Sequence, residues 1–443
     1  MPITSALAGR VALPGSKSLT NRALVMAALA QGAVTIQGAL FSRDTELMVA
    51  ALRNLGFSVE VDADRRQIAV EGRGGRIPRS EASLLVGNAG TVARFLTAML
   101  QVHPAGSFAL DGDTPMRQRP MQGLLDTLAG QGARFVFGGE TGCFPFQMHT
   151  RGLTGGNWSV DASASSQMLS ALLMIAPLAG SLVTVSAPGT RPAFVNLTLE
   201  QMRQCGIRAE ADWETGRFTV YPGTYAVPDG VYKIEPDVTA ASYFMALPYV
   251  TGGSLTLADL PPKPLQGDAR FREVAEAMGL IIQTGSGGWT VRKERGPGGA
   301  LDFDFETFSD TFLTLAALTP LLPYPTTIRG IGHTRHQETD RVKAMETELG
   351  KLGQTVEVTE DTLRVIPRRP VLEEMAMAGK TAIKTYEDHR VAMSFGVLGS
   401  ADVRGDGQPW LAICDPVCCG KTFPDFFHVL EGLRLRLPAG HRE

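Results

Sequence analysis

The sequence predicts an α/β (α+β) fold of two lobes, each of three βαβαββ units with buried parallel helices, of the inside-out α/β barrel type. Three observations predict it. Six times, roughly 75 residues apart, a small or polar cluster opens straight into an apolar and nearly uncharged run. Between these runs lies a second series, amphipathic and ending in glycine. The chain of 443 residues is also too long for one core, since domains split beyond roughly 250 to 300 residues.

The six openings are Ser16-Lys17-Ser18, Asn88-Ala89-Gly90-Thr91, Ser165-Ser166-Gln167, Asp237-Val238-Thr239, Ser309-Asp310-Thr311 and Asp388-His389-Arg390. Behind them run Ala23–Ala30, Val92–Leu100, Met168–Leu178, Ala240–Leu247, Phe312–Leu322 and Val391–Leu398, rich in Ala, Leu and Met. Helices apolar on every side are buried ones. The second series ends in Gly56, Gly132, Gly206, Gly279 and Gly353, each fitting the residue after a helix C-terminus. Strand-like alternation follows, as in Phe57–Val61 or Gln354–Val358, and often a second strand, such as Ile68–Val70 or Leu363–Ile366. Six copies of strand, buried helix, strand, amphipathic helix, strand, strand would cover nearly the whole chain. The first strand, Ala6–Leu13, precedes the first buried helix and is expected in the second lobe. The domains are therefore 14–234 and, discontinuously, 1–13 with 235–443. Arg292–Gly299 reads as a polar turn between strands.

Composition excludes several classes. With 44% hydrophobic and 20% charged residues the chain reads as soluble and globular. No stretch approaches about 18 uninterrupted apolar residues, and Met1–Leu13 has no signal-peptide pattern, so a cytoplasmic protein without a membrane partner is expected. Five cysteines, Cys143, Cys205, Cys414, Cys418 and Cys419, are odd in number and lack metal-ligand spacing; they read as core thiols. A net charge of −3 and pI near 6.2 give no reason to expect nucleic acid. Gly420-Lys421-Thr422 imitates the tail of a P-loop, but Asp415 stands where the first glycine is needed.

Cationic residues gather where helices begin: Lys17 and Arg22, Arg94, Arg341, Arg390, and Lys421 just before Thr422-Phe423-Pro424. Helix N-termini offer free N–H groups and a positive dipole end, so this pattern suits phosphate or carboxylate. Asp310 and Glu338 are the candidate proton-transfer groups among these cations. Each has a structural alternative, Asp310 as an N-cap and Glu338 as a complement to the first turn of the next helix.

Pro14-Gly15-Ser16-Lys17-Ser18 with Asn21-Arg22, Gly87-Asn88-Ala89-Gly90-Thr91, Arg119-Pro120, Ser165-Ser166-Gln167, Glu338-Thr339-Asp340-Arg341, Asp388-His389-Arg390 and Lys421-Thr422-Phe423-Pro424-Asp425 together resemble the 5-enolpyruvylshikimate-3-phosphate synthase family, in order and over essentially the full length. The resemblance implies six βαβαββ units in two lobes that close over the substrates, with the active site in the cleft. It implies transfer of the enolpyruvyl group of phosphoenolpyruvate to the 5-hydroxyl of shikimate 3-phosphate, with phosphate released and no metal or organic cofactor. Lys17, Ser18, Arg22, Ser165, Ser166, Gln167, Arg191, Asp310 and Gln337 would then meet shikimate 3-phosphate. Lys17, Gly90, Arg119, Gln167, Arg341, Arg390 and Lys421 would surround phosphoenolpyruvate. Asp310 would be the base toward the 5-hydroxyl and Glu338 the acid toward C3, while Lys17 and Lys421 stabilise charge at the phosphate and its bridging oxygen. The two small-molecule substrates are the expected partners, and a monomer the expected state.

The chain departs from this pattern in places. Where many members read Arg-Val-Lys-Glu it has Arg335-His336-Gln337-Glu338, so a lysine contact becomes Gln337, with His336 or His333 placed to compensate. Around Thr190-Arg191-Pro192 an extra residue leaves open whether Thr190 or Arg191 takes the contact, and Phe95 stands where proline is common. The nearest rival, UDP-N-acetylglucosamine enolpyruvyl transferase, typically carries a cysteine in the loop matching Asp111–Gly123, which has none here. A silent anion-binding regulator on the same fold would not need both Asp310 and Glu338.

Overall fold

The computed structural model describes residues 1–435 except Arg295 and Pro297. The chain forms two compact units, one of residues 15–235 and one of 1–14 with 236–443. Each is built from sheets of the same plan. In the first unit, Glu81–Leu85 lies parallel to Ser107–Asp111, and the antiparallel strands Phe146–His149 and Arg134–Phe137 complete the sheet. Parallel neighbours need a long crossover, here the helix Gly90–Leu100. The same order recurs in Gly156–Ser159, Val183–Ser186, Arg217–Val220 and Ala209–Asp212. In the remaining sheet of this unit the leading position is filled by Val231–Lys233, paired in parallel with Gln31–Gln37.

The second unit repeats the plan with Leu7–Ala12 parallel to Gly253–Ala258, and with Leu301–Asp304 parallel to Thr326–Arg329. Its last sheet holds two strands among the described residues, Thr381–Ile383 and Leu411–Ile413. The expectation of six full copies is corrected there: the chain turns instead into the helix Phe426–Leu435.

The helices obey the apolar reading. Lys17–Leu29 is buried from Leu19 onward, and Gly90–Leu100 throughout. Hydroxyl and amide groups tie such helices together inside the core. Asn21 Nδ2 donates to Thr91 Oγ1 at 2.8 Å, and Ser242 Oγ lies 2.9 Å from Thr314 Oγ1. Buried polar groups survive only when paired, so these contacts fix the helices' relative rotation. Gly56, Gly132, Gly206, Gly279 and Gly353 all adopt φ between +71° and +93°, the left-handed turn that releases the chain from each amphipathic helix.

Four expectations need correction. The runs Met168–Leu178 and Phe312–Leu322 are α-helical only to Ile175 and Leu318, then tighten into 3-10 turns, because Pro177 and Pro320 cannot donate the helical N–H. The strand Gly288–Lys293 runs two residues into the expected polar turn Arg292–Gly299, of which Arg295 and Pro297 lie outside the described residues. Cys414 is exposed and Cys418 half-buried, so not all the thiols belong to the core. Ser309–Asp310–Thr311 forms a 3-10 turn ahead of its helix rather than its first α-turn.

The junction of Leu7 with Gly253 is a tight point of the second unit's first sheet. Gly253 sits at φ +81°, and a Cβ there would stand 2.1 Å from the Leu7 carbonyl oxygen. Gly253→Ala should therefore cost about 1–3 kcal/mol, read as a lower urea midpoint at unchanged slope.

Candidate active site

In the unit containing 236–435, the turn Ser309–Thr311 and the helices opening at Arg341 and His389 each contribute to one buried charge cluster. Arg341 is the first residue of its helix, whose N-cap Asp340 accepts from the Lys343 N–H at 2.9 Å. Its guanidinium is 1% exposed and reaches three carboxylates: Nε to Asp388 at 2.7 Å, one NH to Asp310 at 2.9 Å and the other to Glu338 at 2.9 Å. Gln337 turns its side-chain oxygen onto the same guanidinium. Arg390 donates to the second oxygen of Asp310 at 2.7 Å, and Lys421 to the second oxygen of Glu338 at 2.7 Å. Asp388 accepts from the Arg390 N–H at 2.8 Å and so caps the helix that carries Arg390.

These contacts set the charges. Burial pushes the Asp310 carboxyl up, but Arg390 and Arg341 outweigh it and hold the group below its ordinary value of 3.8. Burial alone would weaken Arg341, yet Asp388, Glu338 and Asp310 hold its proton more firmly than usual. Nearby Asp268 accepts from Thr239 Oγ1, and its carboxyl is raised, first by burial and then by the Asp310 charge. Asp310 caps neither its 3-10 turn nor the helix after it, whereas Glu338 does meet the first turn of the next helix through Arg341. Both oxygens of Asp310 accept from arginine, and Glu338 is shared between Arg341 and Lys421.

In the unit 15–235, Lys17 opens its helix and pairs with Asp44 at 3.0 Å. Five residues on, Arg22 is 1% exposed and, among the described residues, meets only neutral acceptors: Thr198 Oγ1 at 2.6 Å, the Ser18 carbonyl at 3.0 Å, the Phe194 carbonyl at 3.2 Å and Ser170 Oγ at 3.5 Å. Its guanidinium also lies 5.0 Å from the centre of the Phe95 ring. Phe95, in the position where proline is common, is thus a buried face for this cation. Burial lowers the Arg22 pKa to about 9, which leaves it charged at neutral pH. Arg94, buried too, donates to the Pro120 carbonyl at 3.0 Å and steadies the residue beside Arg119.

Gly90, Arg119 and Gln167 converge. A Cβ on Gly90 would stand 2.8 Å from Gln167 Oε1 and 3.1 Å from an Arg119 NH. Gln167 follows the N-cap Ser165, whose hydroxyl accepts from its N–H at 3.3 Å, and Ser166 is half-buried. Thr190 spends its hydroxyl on the Ala187 carbonyl at 2.9 Å, whereas Arg191 has no hydrogen bond or ion pair among the described residues. His336 is exposed, while His333 Nε2 lies 2.9 Å from Ser309 Oγ, next to Asp310. Gln167 Oε1 and Arg390 Nε are buried without a hydrogen-bond partner among the described residues. Such atoms are uncommon in folded proteins.

The candidate residues thus fall into two sets. Lys17, Ser18, Arg22, Gly90, Arg119, Ser165, Ser166, Gln167 and Arg191 belong to the unit 15–235, and Asp310, Gln337, Glu338, Arg341, Arg390 and Lys421 to the other. Sequence reasoning missed two of the carboxylates that hold the cations. Asp388 stood in a quoted motif without a role, and Asp44, in the first turn of the helix Arg43–Asn54, belonged to no quoted motif. Among the described residues no group of three or more His, Cys, Asp or Glu is placed to hold a metal ion, and no helix is long and apolar enough to cross a membrane.

Comparison with known proteins shows the family. Residues 2–430 match the family model of EPSP synthase (3-phosphoshikimate 1-carboxyvinyltransferase). A protein of that name from Opitutus terrae is 48% identical over 437 residues, 98% of this chain and 96% of its own length. One from Nostoc punctiforme is 39% identical over 419 residues, 94% of each chain. The EPSP synthase structure from Acinetobacter baumannii superposes with a TM-score of 0.77 at 22% identity, covering 98% of this chain and 97% of that one. The enolpyruvyl transferase NikO from Streptomyces tendae gives 0.67 at 17%, covering 97% and 95%. The chain belongs to the EPSP synthase family.

Two outcomes are expected from the geometry. Arg341→Leu would strand Asp388, wholly buried, with Asp310 and Glu338 beside it, at a cost of roughly 3–5 kcal/mol at pH 7. Asp310 is depressed in the fold, so the stability from its pairing is complete above the ordinary carboxylate range and lost as pH falls below it. In the variant the stranded carboxylates take up protons more readily, so urea midpoints of the two proteins should converge as pH falls from neutrality. Gly90→Ala should displace Gln167, whose contact under 3.0 Å forces movement, and crowd Arg119 at 3.1 Å. The expected reading is a phosphoenolpyruvate KM raised about tenfold or more, with a smaller loss of shikimate 3-phosphate affinity through Gln167.

Proposed function

We infer that this chain transfers the enolpyruvyl group of phosphoenolpyruvate to the 5-hydroxyl of shikimate 3-phosphate, releasing phosphate, in the shikimate pathway to the aromatic amino acids. The observation that carries the mechanism is the pair of carboxylates, Asp310 and Glu338, each bridged between two cations. A carboxylate substrate suits Arg341 and Arg390, which both donate to Asp310 while it is their partner. When the phosphoenolpyruvate carboxylate takes over those donors, Asp310 loses the charges that depress it and becomes a stronger base. It then accepts the 5-hydroxyl proton as that oxygen bonds to C2 of phosphoenolpyruvate. Glu338, which enters the step carrying a proton taken from solvent, gives it to C3, leaving a tetrahedral adduct at C2. Return of a C3 proton to Glu338 and cleavage of the C2–O bond to phosphate restore the double bond, and the proton held by Asp310 leaves with the released phosphate.

Glu338 is suited to the acid role because Lys421 and Arg341 steady the carboxylate left behind. Lys17 and Lys421 meet the phosphate charge and its bridging oxygen, while Gly90, Arg119 and Gln167 complete the phosphoenolpyruvate contacts. Ser18, Arg22, Ser165, Ser166, Gln167, Arg191 and Gln337 serve shikimate 3-phosphate, with Arg22 acting through its undiminished charge. Each unit is taken as a lobe of the inside-out α/β barrel type, the last repeat of the second lobe being shortened. Proton transfer and charge compensation are all the chemistry requires, so the reading assigns no cofactor and takes the enzyme as a cytoplasmic monomer.

The test is phosphate release from phosphoenolpyruvate on adding shikimate 3-phosphate, with UDP-N-acetylglucosamine as control. Release should follow the first and not the second. Asp310→Asn and Glu338→Gln should each lose about 10²–10⁴-fold in kcat while still binding shikimate 3-phosphate; activity within about threefold of the parent would remove that residue from proton transfer.

A further inference from the structure

Glu348 is a fully buried carboxylate that the reaction above does not use. It lies seven residues after Arg341 on the same helix, hence on the same face, two turns along. Its oxygens accept from the Tyr386 hydroxyl at 2.6 Å, the Lys384 N–H at 3.2 Å and Lys351 Nζ at 2.8 Å. Burying a charge is tolerated only with such full pairing. Two of the three donors belong to the short segment that leads into the Arg390 helix.

That segment is held in an unfavourable conformation. Tyr386 and Glu387 both adopt φ of +57°, a left-handed region that non-glycine residues occupy only when their surroundings enforce it. At the far end of the same segment, Asp388 accepts from Arg341 and caps the helix of Arg390. One helix therefore grips these five residues twice, with Glu348 at their start and Arg341 at their end. Burial and the Glu348 bond push the Tyr386 hydroxyl up to about 12, so it remains a donor at working pH. Lys384 Nζ lies 5.1 Å from the centre of the Tyr386 ring, and Lys351 approaches from solvent.

We propose that Glu348 is a positioning residue for phosphoenolpyruvate: by anchoring Lys384 and Tyr386 it enforces the left-handed turn that sets Asp388, and through Asp388 the guanidinium groups of Arg341 and Arg390. The proposal rests on the assignment of those two arginines to phosphoenolpyruvate. An amide at 348 would keep the shape but present an NH2 group to one of three donors, so the turn would lose part of its anchor. Because misplacement by about 1 Å costs on the order of 10²-fold, the loss should appear in the step those arginines serve.

The experiment is steady-state kinetics for each substrate, direct binding of shikimate 3-phosphate, and thermal unfolding, for the parent enzyme, Glu348→Gln, Tyr386→Phe and Lys351→Ala. Glu348→Gln should lose on the order of 10²-fold in kcat/KM for phosphoenolpyruvate, with shikimate 3-phosphate affinity within about threefold of the parent. Tyr386→Phe should lose in the same direction by less, and Lys351→Ala, which removes only the half-exposed partner, should change neither. Unchanged phosphoenolpyruvate kinetics in the first two variants would overturn the proposal. So would a loss spread equally over both substrates and matched by a lower Tm, which marks a carboxylate that merely stabilises the fold. If Glu348→Gln does not fold, Tyr386→Phe decides by the same criteria. A parent enzyme that releases no phosphate with shikimate 3-phosphate would defeat the functional reading itself.

Discussion

A single guanidinium, that of Arg341, is shared among Asp310, Glu338 and Asp388, and much of the second unit's site follows from its burial. Removing a charged group from water costs several kcal/mol, which only close and well-oriented partners offset. The three carboxylates come from three separate segments, so satisfying one cation fixes the turn before the Phe312 helix, the loop before the Arg341 helix and the cap of the Arg390 helix together. At about 4 Å each opposite-charge contact is worth roughly 4 kcal/mol at an effective dielectric of 20, before desolvation is subtracted. The arrangement is therefore held by charge and cannot tolerate the loss of one partner.

The other unit handles buried cations differently. Among the described residues, Arg22 and Arg94 meet hydroxyl, carbonyl and thioether groups and no carboxylate within hydrogen-bonding distance. Neutral acceptors satisfy most of the N–H groups, Arg94 Nε having no partner among the described residues, yet leave the charge uncancelled, and burial lowers both pKa values to about 9 without discharging them. Repulsion from Arg119 contributes to the lowering at Arg94. A fold gains nothing from excess positive charge of this kind. It suits a protein that must accept anions, and it is a local conflict of the sort found where function overrides stability.

The cluster around Arg341 is balanced instead, and its balance suits a reaction that moves protons. A carboxylate bridged by two arginines is a poor base until an anion competes for them. In the proposed mechanism the same ion pairs that stabilise the unliganded protein keep Asp310 unreactive until its substrate arrives. Stability and regulation of basicity then come from one set of contacts, and in the proposal made for Glu348 a further buried carboxylate holds the turn beside them.

The residue pattern by itself determined the alternation of buried and amphipathic helices, the left-handed glycines that end the amphipathic ones, and most strands between them. These are local properties, set by side-chain period and by the steric freedom of glycine. The motifs also carried the family, because residue identity at several separated positions is recorded directly in the chain. Only the tertiary structure decided which carboxylate meets which cation. Asp44 and Lys17 are 27 apart in sequence, and Asp388 and Arg341 are 47 apart, and no periodicity encodes such pairings. It likewise decided that Val231–Lys233 enters the sheet of Gln31–Gln37, that the last sheet keeps two strands, and that Arg22 is locked in the core against Phe95. The physical reason is common to all of these. Local pattern selects elements, whereas burial of charge and completion of hydrogen bonds are satisfied only by groups that the finished fold brings together.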